Sequence, residues 1–450
     1  MRRRETTKQV RDEKKEAIMR LGGRIAAAVE VIEDMTARRR PVADALKDWG
    51  LAHRFAGSGD RSAIGNMVYD VLRRRRSLAH RMGSDAPAAL VFGAVLDAGQ
   101  TPDGLRAALE GDRFAPPLPG EDVLQRFLSG DGLKDAPEVV AADVPDWLGQ
   151  PLEASLGADW VAEARALSDR PPLDMRANLL KAQRDDVLAE LKPFAAEPMP
   201  LSPWGLRIAP IEGEGRHPNV QVERGFQTGL FEIQDEGSQI AALLAGAEPE
   251  TRILDYCAGA GGKTLALAAA SGNAAEIHAF DADRQRLAPI WDRLARAGAE
   301  GVEVHNPRDD LAPLHGTMDL VLVDAPCTGA GTWRRRPDAK WRLSEAQLQK
   351  RMGEQDAVLQ KASAFVKPGG RLAYVTCSVL REENAARVEA FLAAHSAFRL
   401  CDAEAIWAET LPDAPKAYHA ERLADGAVLT LTPLRSGTDG FFFALLERAA

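Results

Sequence analysis

The second half of the chain alternates short apolar strands with helical segments, and this alternation restricts the fold more than any other feature. Four runs are rich in strand-forming residues and end in polar ones: IHAFD, VEVHN, LVLVDAP and RLAYVTCS. Helical segments separate them, which is typical of a doubly wound parallel sheet. The final runs AVLTLTPL and FFFALLER, joined by RSGTDG, predict an antiparallel hairpin at the sheet edge. The predicted fold class is α/β, with a Rossmann-like sheet.

The chain of 450 residues is too long for one ordinary hydrophobic core, and its sequence changes character twice. Residues 1–135 lack alternating runs and predict an all-α domain. Its clearest helix is Asp60–Arg76, where Asp60 is expected to cap the start of an apolar stripe at helical spacing. Residues 136–228 predict a small α+β connector, and residues 229–450 predict the doubly wound domain.

The charge is distributed unevenly, although the net charge is -9. Residues 1–82 hold 20 Lys and Arg against 11 Asp and Glu, so the rest of the chain is strongly acidic. This asymmetry fits a basic module that binds a polyanion such as RNA, and it fits a solvated helical face equally well. The first residues, MRRRETTKQVRDEKK, contain no apolar stretch, and no run approaches the roughly 20 apolar residues of a membrane span. A cytoplasmic protein without membrane contact is expected.

Four cysteines, at positions 257, 327, 377 and 401, form no CxxC pair and accompany no histidine cluster, so neither a disulfide framework nor a metal site is predicted. Cys327 and Cys377 each follow an apolar strand, and those strands are expected to be neighbours. A thiol at the end of a strand before a helix is where its pKa can be lowered. Covalent chemistry is the favoured interpretation, and simple packing of small apolar residues is the alternative.

A buried strand turns directly into a polar loop at Asp319–Gly331, DLVLVDAPCTGAG. Leu320–Val323 is a continuous apolar run, as expected for a parallel strand covered on both faces. Asp324 then ends the strand. In open α/β sheets ligands bind at the carboxyl ends of strands, so Asp324 is predicted to face a site. A turn or helix cap is the alternative role.

The run LDYCAGAGGKT predicts a strand, a glycine-rich turn and a helix, an arrangement that lets backbone approach a ligand closely. One candidate ligand is a nucleotide phosphate, since GGKT nearly completes the phosphate-loop pattern, but Cys257 occupies the position of its first glycine. The other is an adenosyl cofactor. Asp281 favours it, because this carboxylate ends the next strand 19 residues after Gly262, near the spacing of a ribose-binding acid.

The segment Thr332–Arg342, TWRRRPDAKWR, interleaves cations with two tryptophans. Cations suit phosphates and flat rings suit bases, as in proteins that bind single-stranded nucleic acid. Because the segment adjoins the predicted reaction centre, contact with a nucleic-acid substrate is favoured over a merely solvated face.

These motifs together resemble the RNA (cytosine-5) methyltransferases of the Sun/RsmB type. The resemblance covers residues 229–450 and depends on GLFEIQDEGSQ, LDYCAGAGGKT, DAPCTGAG with RRRPDAKW, YVTCSVLREEN and GFFFALL, in the family's order. The N-terminal run GDRSAIGNMVYDVLRRR is similar to the helical antitermination-factor-like domain of the bacterial branch. The resemblance therefore implies an S-adenosylmethionine-dependent enzyme with an RNA-binding helical domain.

The resemblance also implies residue roles. Cys377 corresponds to the nucleophile that adds to C6 of cytosine, Cys327 to the residue that assists release, and Asp324 to a contact near N3 of the base. The implied cofactor-binding residues are Cys257, Ala258, Gly259, Ala260, Gly261, Gly262, Lys263, Asp281 and Asp324. The family's turn commonly reads CAAPGGKT, so the residues at 259 and 260 depart from it. No metal is implied.

The predicted function is RNA cytosine C5 methylation by a monomer, with ribosomal RNA favoured and transfer RNA open as the substrate. Two other functions remain as alternatives: a phosphate-loop NTPase, which Cys257 disfavours, and an RNA-binding assembly factor without chemistry, which the two thiols disfavour.

Overall fold

The computed structural model describes residues 19–129, 132–211, 213, 215–423 and 425–450. The basic N-terminal run MRRRETTKQVRDEKK lies outside the described residues. The chain divides into two compact units, of which the first comprises residues 1–149, 211–216 and 336–342 and the second comprises the remainder. None of the described helices is long and apolar enough to cross a membrane.

The first unit is helical. Its helices are Leu21–Ala37, Val42–Ala52, Ser58–Arg73, Arg75–Met82, Pro87–Asp97, Pro102–Leu109, Glu121–Leu128, Glu138–Ala141 and Pro337–Arg342. The apolar stripe of the third helix is buried, including Ile64 and Val68, and packs with residues of the first and fifth helices, among them Val31 and Phe92. The helical pattern read from the sequence is thus confirmed for the described part of this unit.

The predicted helix Asp60–Arg76 is two helices, and Asp60 is not its first residue. The helix Ser58–Arg73 starts after Gly57, and the Asp60 carboxylate accepts a hydrogen bond from the Gly57 amide at 3.3 Å. Asp60 therefore caps the helix from inside its first turn. The helix stops at Arg73, so the run of four arginines continues into the next helix.

The second unit contains two sheets. Its helices are Gln150–Leu156 (the part of Gly149–Leu156 inside this unit), Trp160–Ala166, Arg184–Leu191, Arg224–Gln227, Glu236–Ala245, Gly262–Ala270, Arg284–Leu287, Ile290–Ala297, Glu345–Ser363, Ala385–Ala394, Ala403–Thr410 and Pro433–Ser436. The small sheet is antiparallel, in the order β2-β3-β1-β4. Its strands are β1 (Leu173–Ala177), β2 (Glu197–Pro198), β3 (Gly205–Ile208) and β4 (Phe231–Ile233).

The large sheet has the order β11-β12-β13-β9-β8-β5-β6-β7, with β10 paired to β13. Its strands are β5 (Arg252–Asp255), β6 (Glu276–Phe280), β7 (Val302–His305), β8 (Met318–Asp324), β9 (Val366–Thr376), β10 (Phe398–Leu400), β11 (His419–Arg422), β12 (Ala427–Leu431) and β13 (Phe441–Arg448). Strands β5 to β9 pair parallel with one another. β10 to β13 pair antiparallel, and β13 also joins β9 in antiparallel orientation.

This sheet confirms the predicted doubly wound architecture. Leu320–Val323 in β8 is fully buried, as expected for a strand covered on both faces. β12 and β13 form the predicted antiparallel pair, and β11 extends the sheet beyond them. Because neighbouring parallel strands end at one edge of a sheet, the residues that follow β5, β6, β8 and β9 come together there.

Candidate active site

Two thiols lie side by side at the carboxyl edge of the large sheet. β8 and β9 are parallel neighbours, with Asp324 opposite Val375, so the predicted adjacency of these strands is confirmed. Cys327 follows the end of β8 and Cys377 follows the end of β9. Their Sγ atoms are 3.4 Å apart, within hydrogen-bond distance for sulfur. Residues separated by 50 positions in the chain thus form one reactive pair.

The environment of Cys327 favours its protonated form. The hydrogen bond with Cys377 and, next, burial raise the pKa of Cys327 well above that of a free thiol, and the nearby Glu383 carboxylate acts in the same direction. Cys327 therefore keeps its proton at neutral pH, and either of the two sulfur atoms can donate the hydrogen bond that joins them. The expectation that a strand end before a helix lowers the thiol pKa is wrong for Cys327, because its surroundings are buried and anionic.

A buried carboxylate holds the loop that carries Cys327. Glu383 has no exposed surface. It accepts hydrogen bonds from the Thr328 amide at 2.8 Å, from the Thr328 hydroxyl at 2.5 Å and from Gln355 Nε2 at 3.0 Å. The Tyr374 hydroxyl in turn donates to the Glu383 carbonyl at 2.6 Å. Because these contacts join the loop after β8 to residues around β9, they fix the two thiols relative to each other.

The loop that carries Cys377 is held by a second polar network. The Thr376 hydroxyl donates to Asn384 Oδ1 at 2.6 Å, and Asn384 Nδ2 donates to the Ser378 carbonyl at 2.9 Å. The Gly331 amide also donates to the Cys377 carbonyl at 2.9 Å. The backbone on both sides of Cys377 is therefore fixed, which orients its sulfur.

Asp324 faces solvent on one side and an ammonium group on the other. Lys263 Nζ donates to Asp324 Oδ2 at 2.8 Å, with the lysine side chain 6% and the aspartate side chain 34% exposed. The lysine is thus sequestered while its partner stays accessible. A carboxyl group accessible from the site and paired to a cation is suited to binding a base edge that accumulates charge.

The predicted cofactor turn runs from Cys257 to the helix at Gly262 and adopts conformations that require glycine. Gly259 and Gly261 have φ angles of 52° and 83°. A Cβ on Gly261 would lie 2.6 Å from Ile290 Cγ1, so the turn packs closely against the helix Ile290–Ala297. Arg293 stabilises the turn at the residues that depart from the family's pattern, because it donates to the Ala260 carbonyl at 2.8 Å.

Asp281 lies where the sequence predicts a ribose-binding acid. It follows β6, and its carboxylate accepts from the Gly259 amide at 2.9 Å and from the Asp283 amide at 2.8 Å. The side chain therefore touches the glycine turn directly. The first amide groups of the helix Gly262–Ala270 point out of the helix toward the turn's end, where they can bind a carboxylate.

The hydrogen-bonding groups around the turn fit S-adenosylmethionine. Asp281 offers an acceptor for ribose hydroxyls, the helix start offers amides for the carboxylate of the amino-acid end, and glycines leave room for a ligand. Asp255, beneath the turn, accepts from the Thr264 hydroxyl at 2.7 Å, while its Oδ1 is buried without a protein partner. Burial raises the pKa of Asp255 to about 7. Burial also raises the pKa of Cys257 well above its usual value, so this thiol stays protonated.

Three of the five cations of Thr332–Arg342 bind protein groups outside the segment: Arg334, Arg335 and Lys340. The segment is therefore not the continuous, open RNA-binding strip expected from the sequence. Trp333 and Arg334 are buried. Arg334 and Arg335 both pair with the buried Asp439, and Arg335 also binds Asp235 at 2.9 Å. Neighbouring carboxylates raise the pKa of Arg335, opposing the effect of its burial.

The end of the same segment belongs to the helical unit. Lys340 is fully buried and donates to the Arg73 carbonyl at 2.9 Å, while Trp341 Nε1 donates to the Leu72 carbonyl at 2.6 Å. Burial lowers the pKa of Lys340 to about 7. Within this segment Arg336 and Arg342 remain exposed.

Sequence patterns missed the residues that support the thiols. Glu383 and Asn384 lie inside the quoted run YVTCSVLREEN, but nothing in their spacing assigns Thr328 or Thr376 as partners. The sequence signal that could have drawn attention to them is an acid followed by an asparagine, a few residues after a predicted reactive cysteine.

Comparisons with known proteins agree with this geometry. A family model described as 16S rRNA methyltransferase RsmB/F matches residues 241–447, and an RsmF/B-like ferredoxin-like domain model matches residues 144–211. A probable ribosomal RNA small subunit methyltransferase B from Synechocystis sp. is 32% identical over 312 residues, 68% of this chain and 67% of the relative. The ribosomal RNA small subunit methyltransferase B of Sodalis glossinidius is 34% identical over 67% of this chain and 64% of its own.

The chain thus spans about two thirds of the length of these relatives. Among solved structures, a methyltransferase homolog from Pyrococcus horikoshii superposes with a TM-score of 0.57 at 25% identity, covering 69% of this chain and 97% of that one. These matches confirm the family resemblance and the fold class predicted from the sequence.

Proposed function

Because this chain belongs to the RsmB/F family of S-adenosylmethionine-dependent RNA methyltransferases, we propose that it methylates C5 of a cytosine in small-subunit ribosomal RNA through a covalent intermediate. The observation that carries the mechanism is the 3.4 Å approach of Cys327 Sγ and Cys377 Sγ, on the loops that follow β8 and β9. A phosphate-loop NTPase and an assembly factor without chemistry, the two alternatives left by the sequence, do not fit the family.

The chemistry requires a nucleophile, since C5 of cytosine does not take up a methyl group unaided. Addition of a thiolate at C6 forms an S–C6 bond and moves the C5–C6 π electrons toward C5, which then resembles an enamine carbon. Cys377 is the proposed nucleophile. Its sulfur lies 3.4 Å from that of Cys327, and the raised pKa of Cys327 keeps a proton on that thiol, so we assign the attack to the other member of the pair.

Asp324 is the proposed partner of N3. Thiolate addition leaves negative charge on the pyrimidine ring, and a proton shared between N3 and the Asp324 carboxyl group offsets it. The Lys263 ammonium, 2.8 Å from Asp324, adds a positive charge on the far side of that carboxyl group. This buried cation also holds Asp324 in one orientation before the base arrives.

When bound, S-adenosylmethionine supplies an electrophilic methyl group for C5. The proposed contacts from this chain are the turn Cys257–Lys263, including Ala258 and Ala260, together with Asp281 and Asp324. The turn's amides and the Asp281 carboxylate would hold the two ends of the molecule. The buried side chain of Ile290 packs on Gly261 and fixes the shape of this turn.

The second half of the reaction removes the C5 proton and breaks the S–C6 bond, so that the methyl group replaces hydrogen and Cys377 returns to its starting form. Cys327 is the proposed assistant in this step. It lies next to the sulfur that leaves, gives its own proton to that sulfur as the S–C6 bond breaks, and its sulfur then takes up the proton that leaves C5. Glu383 positions Cys327 through Thr328 and is not required to touch the base.

The target cytosine must leave its stack before Cys377 can reach C6, which favours a loop or partly unfolded RNA. The relatives are named for the small-subunit ribosomal RNA. The helical unit, whose residues 1–82 hold 20 Lys and Arg against 11 Asp and Glu, is the proposed RNA-binding module. A ribosomal substrate implies a cytoplasmic enzyme, and we propose that it acts as a monomer. Transfer RNA is the second candidate substrate.

The decisive experiment combines single-cysteine variants with a denaturing gel. With small-subunit RNA and S-adenosylmethionine, Cys327→Ala is expected to accumulate a protein–RNA band that resists denaturation, whereas Cys377→Ala forms no such band and transfers no methyl group. Cys401→Ala, a half-buried cysteine outside the pair, serves as the matched control and should behave as wild type.

The reverse pattern would exchange the roles of the two thiols. Methyl transfer that survives in Cys377→Ala would contradict the covalent mechanism. Bisulfite mapping of ribosomal and transfer RNA from a deletion strain then identifies the substrate, because only the true target loses its protected cytosine.

A further inference from the structure

A second cluster of polar side chains lies on the outer strands of the large sheet, on β6 and β7. His278 on β6 pairs with Glu303 on β7, and Phe280 pairs with His305. Since alternate residues of a strand share a face, His278, Glu303 and His305 project from the same side of the two strands. The two histidines are 27 residues apart in the chain, so no motif spacing indicates that they meet.

The ligand atoms of this cluster already have nearly the separations that a tetrahedral metal site requires. His278 Nδ1 is 2.9 Å from His305 Nε2 and 3.6 Å from a Glu303 oxygen, and His305 Nε2 is 4.0 Å from the other Glu303 oxygen. With metal–nitrogen and metal–oxygen bonds of about 2.0–2.1 Å, the ligands of a tetrahedral zinc ion lie about 3.3 Å apart. Shifts of a few tenths of an ångström would complete the geometry.

The surroundings fix the imidazole of His278 as metal sites do. His278 Nε2 is 2.9 Å from the Glu276 carboxylate, which only accepts, so Nε2 carries the proton and Nδ1 is bare. Arg252 holds Glu276 from the other side at 2.9 Å. A carboxylate behind a ligating histidine is the arrangement that sets the tautomer and strengthens the ligand in metal centres.

Exposure leaves one coordination position open to solvent. The side chain of His278 is 4% exposed and that of His305 is 12% exposed, whereas Glu303 is 68% exposed. Two nearly buried nitrogens are therefore combined with an exposed carboxylate. Water would take the fourth position.

We propose that His278, His305 and Glu303 form a binding site for a divalent transition metal of the zinc type. Imidazole and carboxylate ligands suit zinc, whereas the oxygen-only preference of magnesium and calcium excludes them. On binding, His305 coordinates through Nε2 and its ring proton resides on Nδ1, so no proton is lost from the pair. The ion joins β6 to the outermost parallel strand β7.

None of the three proposed ligands is among the residues assigned to the active site, which lie at or after the ends of β5, β6, β8 and β9. The bound ion would act as a clip on the sheet edge, and its effect is on stability. An ion that binds only the folded chain raises the unfolding temperature by mass action. The proposal does not depend on the methyl-transfer mechanism.

The test is a Co²⁺ and Zn²⁺ titration of the full chain carrying Cys327→Ala and Cys377→Ala, which removes the paired thiols as competing ligands. Co²⁺ is expected to give the visible absorption of a four-coordinate nitrogen and oxygen site at one equivalent, and Zn²⁺ is expected to displace it. Zn²⁺, but not Mg²⁺, should raise the unfolding temperature.

Variants assign the ligands. His305→Gln should abolish the absorption, and Glu303→Gln, at an exposed position that tolerates change, should weaken the metal affinity by roughly tenfold or more. Glu276→Gln should weaken it by about 10- to 100-fold, the usual cost of losing such a supporting carboxylate. Glu300→Gln, an exposed neighbour outside the cluster, is the matched control and should leave the affinity unchanged.

Equal Co²⁺ affinity in His305→Gln, Glu303→Gln and Glu300→Gln would overturn the proposal and place the ion elsewhere. Absence of both the absorption and the Zn²⁺-dependent temperature shift in the parent protein would also overturn it. The histidine pair would then be only a hydrogen-bonded pair within the sheet.

Discussion

Glu383 accepts two hydrogen bonds from Thr328, 55 residues earlier in the chain, through one carboxylate oxygen for the amide and the other for the hydroxyl. Thr328 directly follows Cys327, so this carboxylate decides where one of the two thiols sits. Gln355 donates to the same group at 3.0 Å. All three of these groups donate to the Glu383 carboxylate. An amide side chain at this position would replace one acceptor oxygen with a further donor.

Glu383→Gln should slow catalysis without abolishing substrate binding. One acceptor oxygen becomes an NH₂ group facing donors, and loss of a hydrogen bond to a charged group costs about 1.5–3 kcal/mol. If the lost hydrogen bond destabilises the catalytic arrangement of Cys327 by this amount, kcat drops roughly 10- to 100-fold. KM for RNA changes little. Steady-state kinetics measure the split. Glu389→Gln, a partly exposed acid in the following helix, is the control. A rise in KM at unchanged kcat would contradict a positioning role.

Gly261→Ala should weaken S-adenosylmethionine binding and lower stability. The residue has φ of 83°, which costs a non-glycine residue about 1–2 kcal/mol, and its Cβ would press on Ile290. Gly272→Ala is the matched control, since Gly272 has φ of 61° and no atom within 4 Å of an added Cβ. Both variants should melt earlier, but calorimetry should show roughly tenfold weaker cofactor binding only for Gly261→Ala. Equal cofactor affinity in the two variants would remove the turn from the cofactor site.

Asp255→Asn should make the protein relatively more stable as the pH rises. Burial raises the pKa of Asp255 to about 7, so between about pH 4 and pH 7 the folded chain binds the extra proton and folding stability falls with rising pH. Asparagine keeps an acceptor for Thr264 and never ionises. Between pH 5 and pH 8 the free energy of unfolding of the variant should rise by roughly 1–4 kcal/mol relative to that of the wild type. A pKa difference of one corresponds to about 1.4 kcal/mol.

Urea denaturation of both proteins at the two pH values measures that gain. Asp413→Asn, at an exposed aspartate, controls for the loss of a charge. If the difference in unfolding free energy between wild type and Asp255→Asn is instead the same at pH 5 and pH 8, Asp255 is already ionised in the folded protein at pH 5.

Lys340→Met should change the pH dependence of stability and leave the salt dependence of RNA binding unaltered. Lys340 is buried and its pKa is lowered to about 7, so above pH 7 the unfolded chain binds the extra proton and wild-type stability rises with pH toward the ordinary lysine pKa. Methionine removes that rise. Between pH 7 and pH 9.5 the unfolding temperature of the wild type should therefore rise relative to that of the variant. Lys47→Met, at an exposed lysine of the same unit, should show no such gain.

A lysine that contacts RNA phosphate would behave differently. Its loss would lower the slope of log affinity against log salt by about one. A slope that falls in Lys340→Met would restore the RNA-binding role predicted from the sequence for this segment.

The sequence by itself determined the order of strands and helices in the second half of the chain, because periodicity and terminating polar residues are local properties. It also identified the glycine turn, Asp281, Asp324 and both thiols, since each follows an apolar strand and such ends share one sheet edge. The predicted family followed from those same motifs and is confirmed by the comparisons.

Only the tertiary structure decided which of these groups touch. The contacts of Cys327 with Cys377, and of Lys263 with Asp324, depend on the path of loops between strands, which no local pattern encodes. The same holds for His278 and His305. Burial likewise separated cations that neutralise internal carboxylates, such as Arg335, from those left to solvent. The sequence does not distinguish a solvated charged residue from one that is paired in the interior, because the tertiary fold determines which groups come into contact.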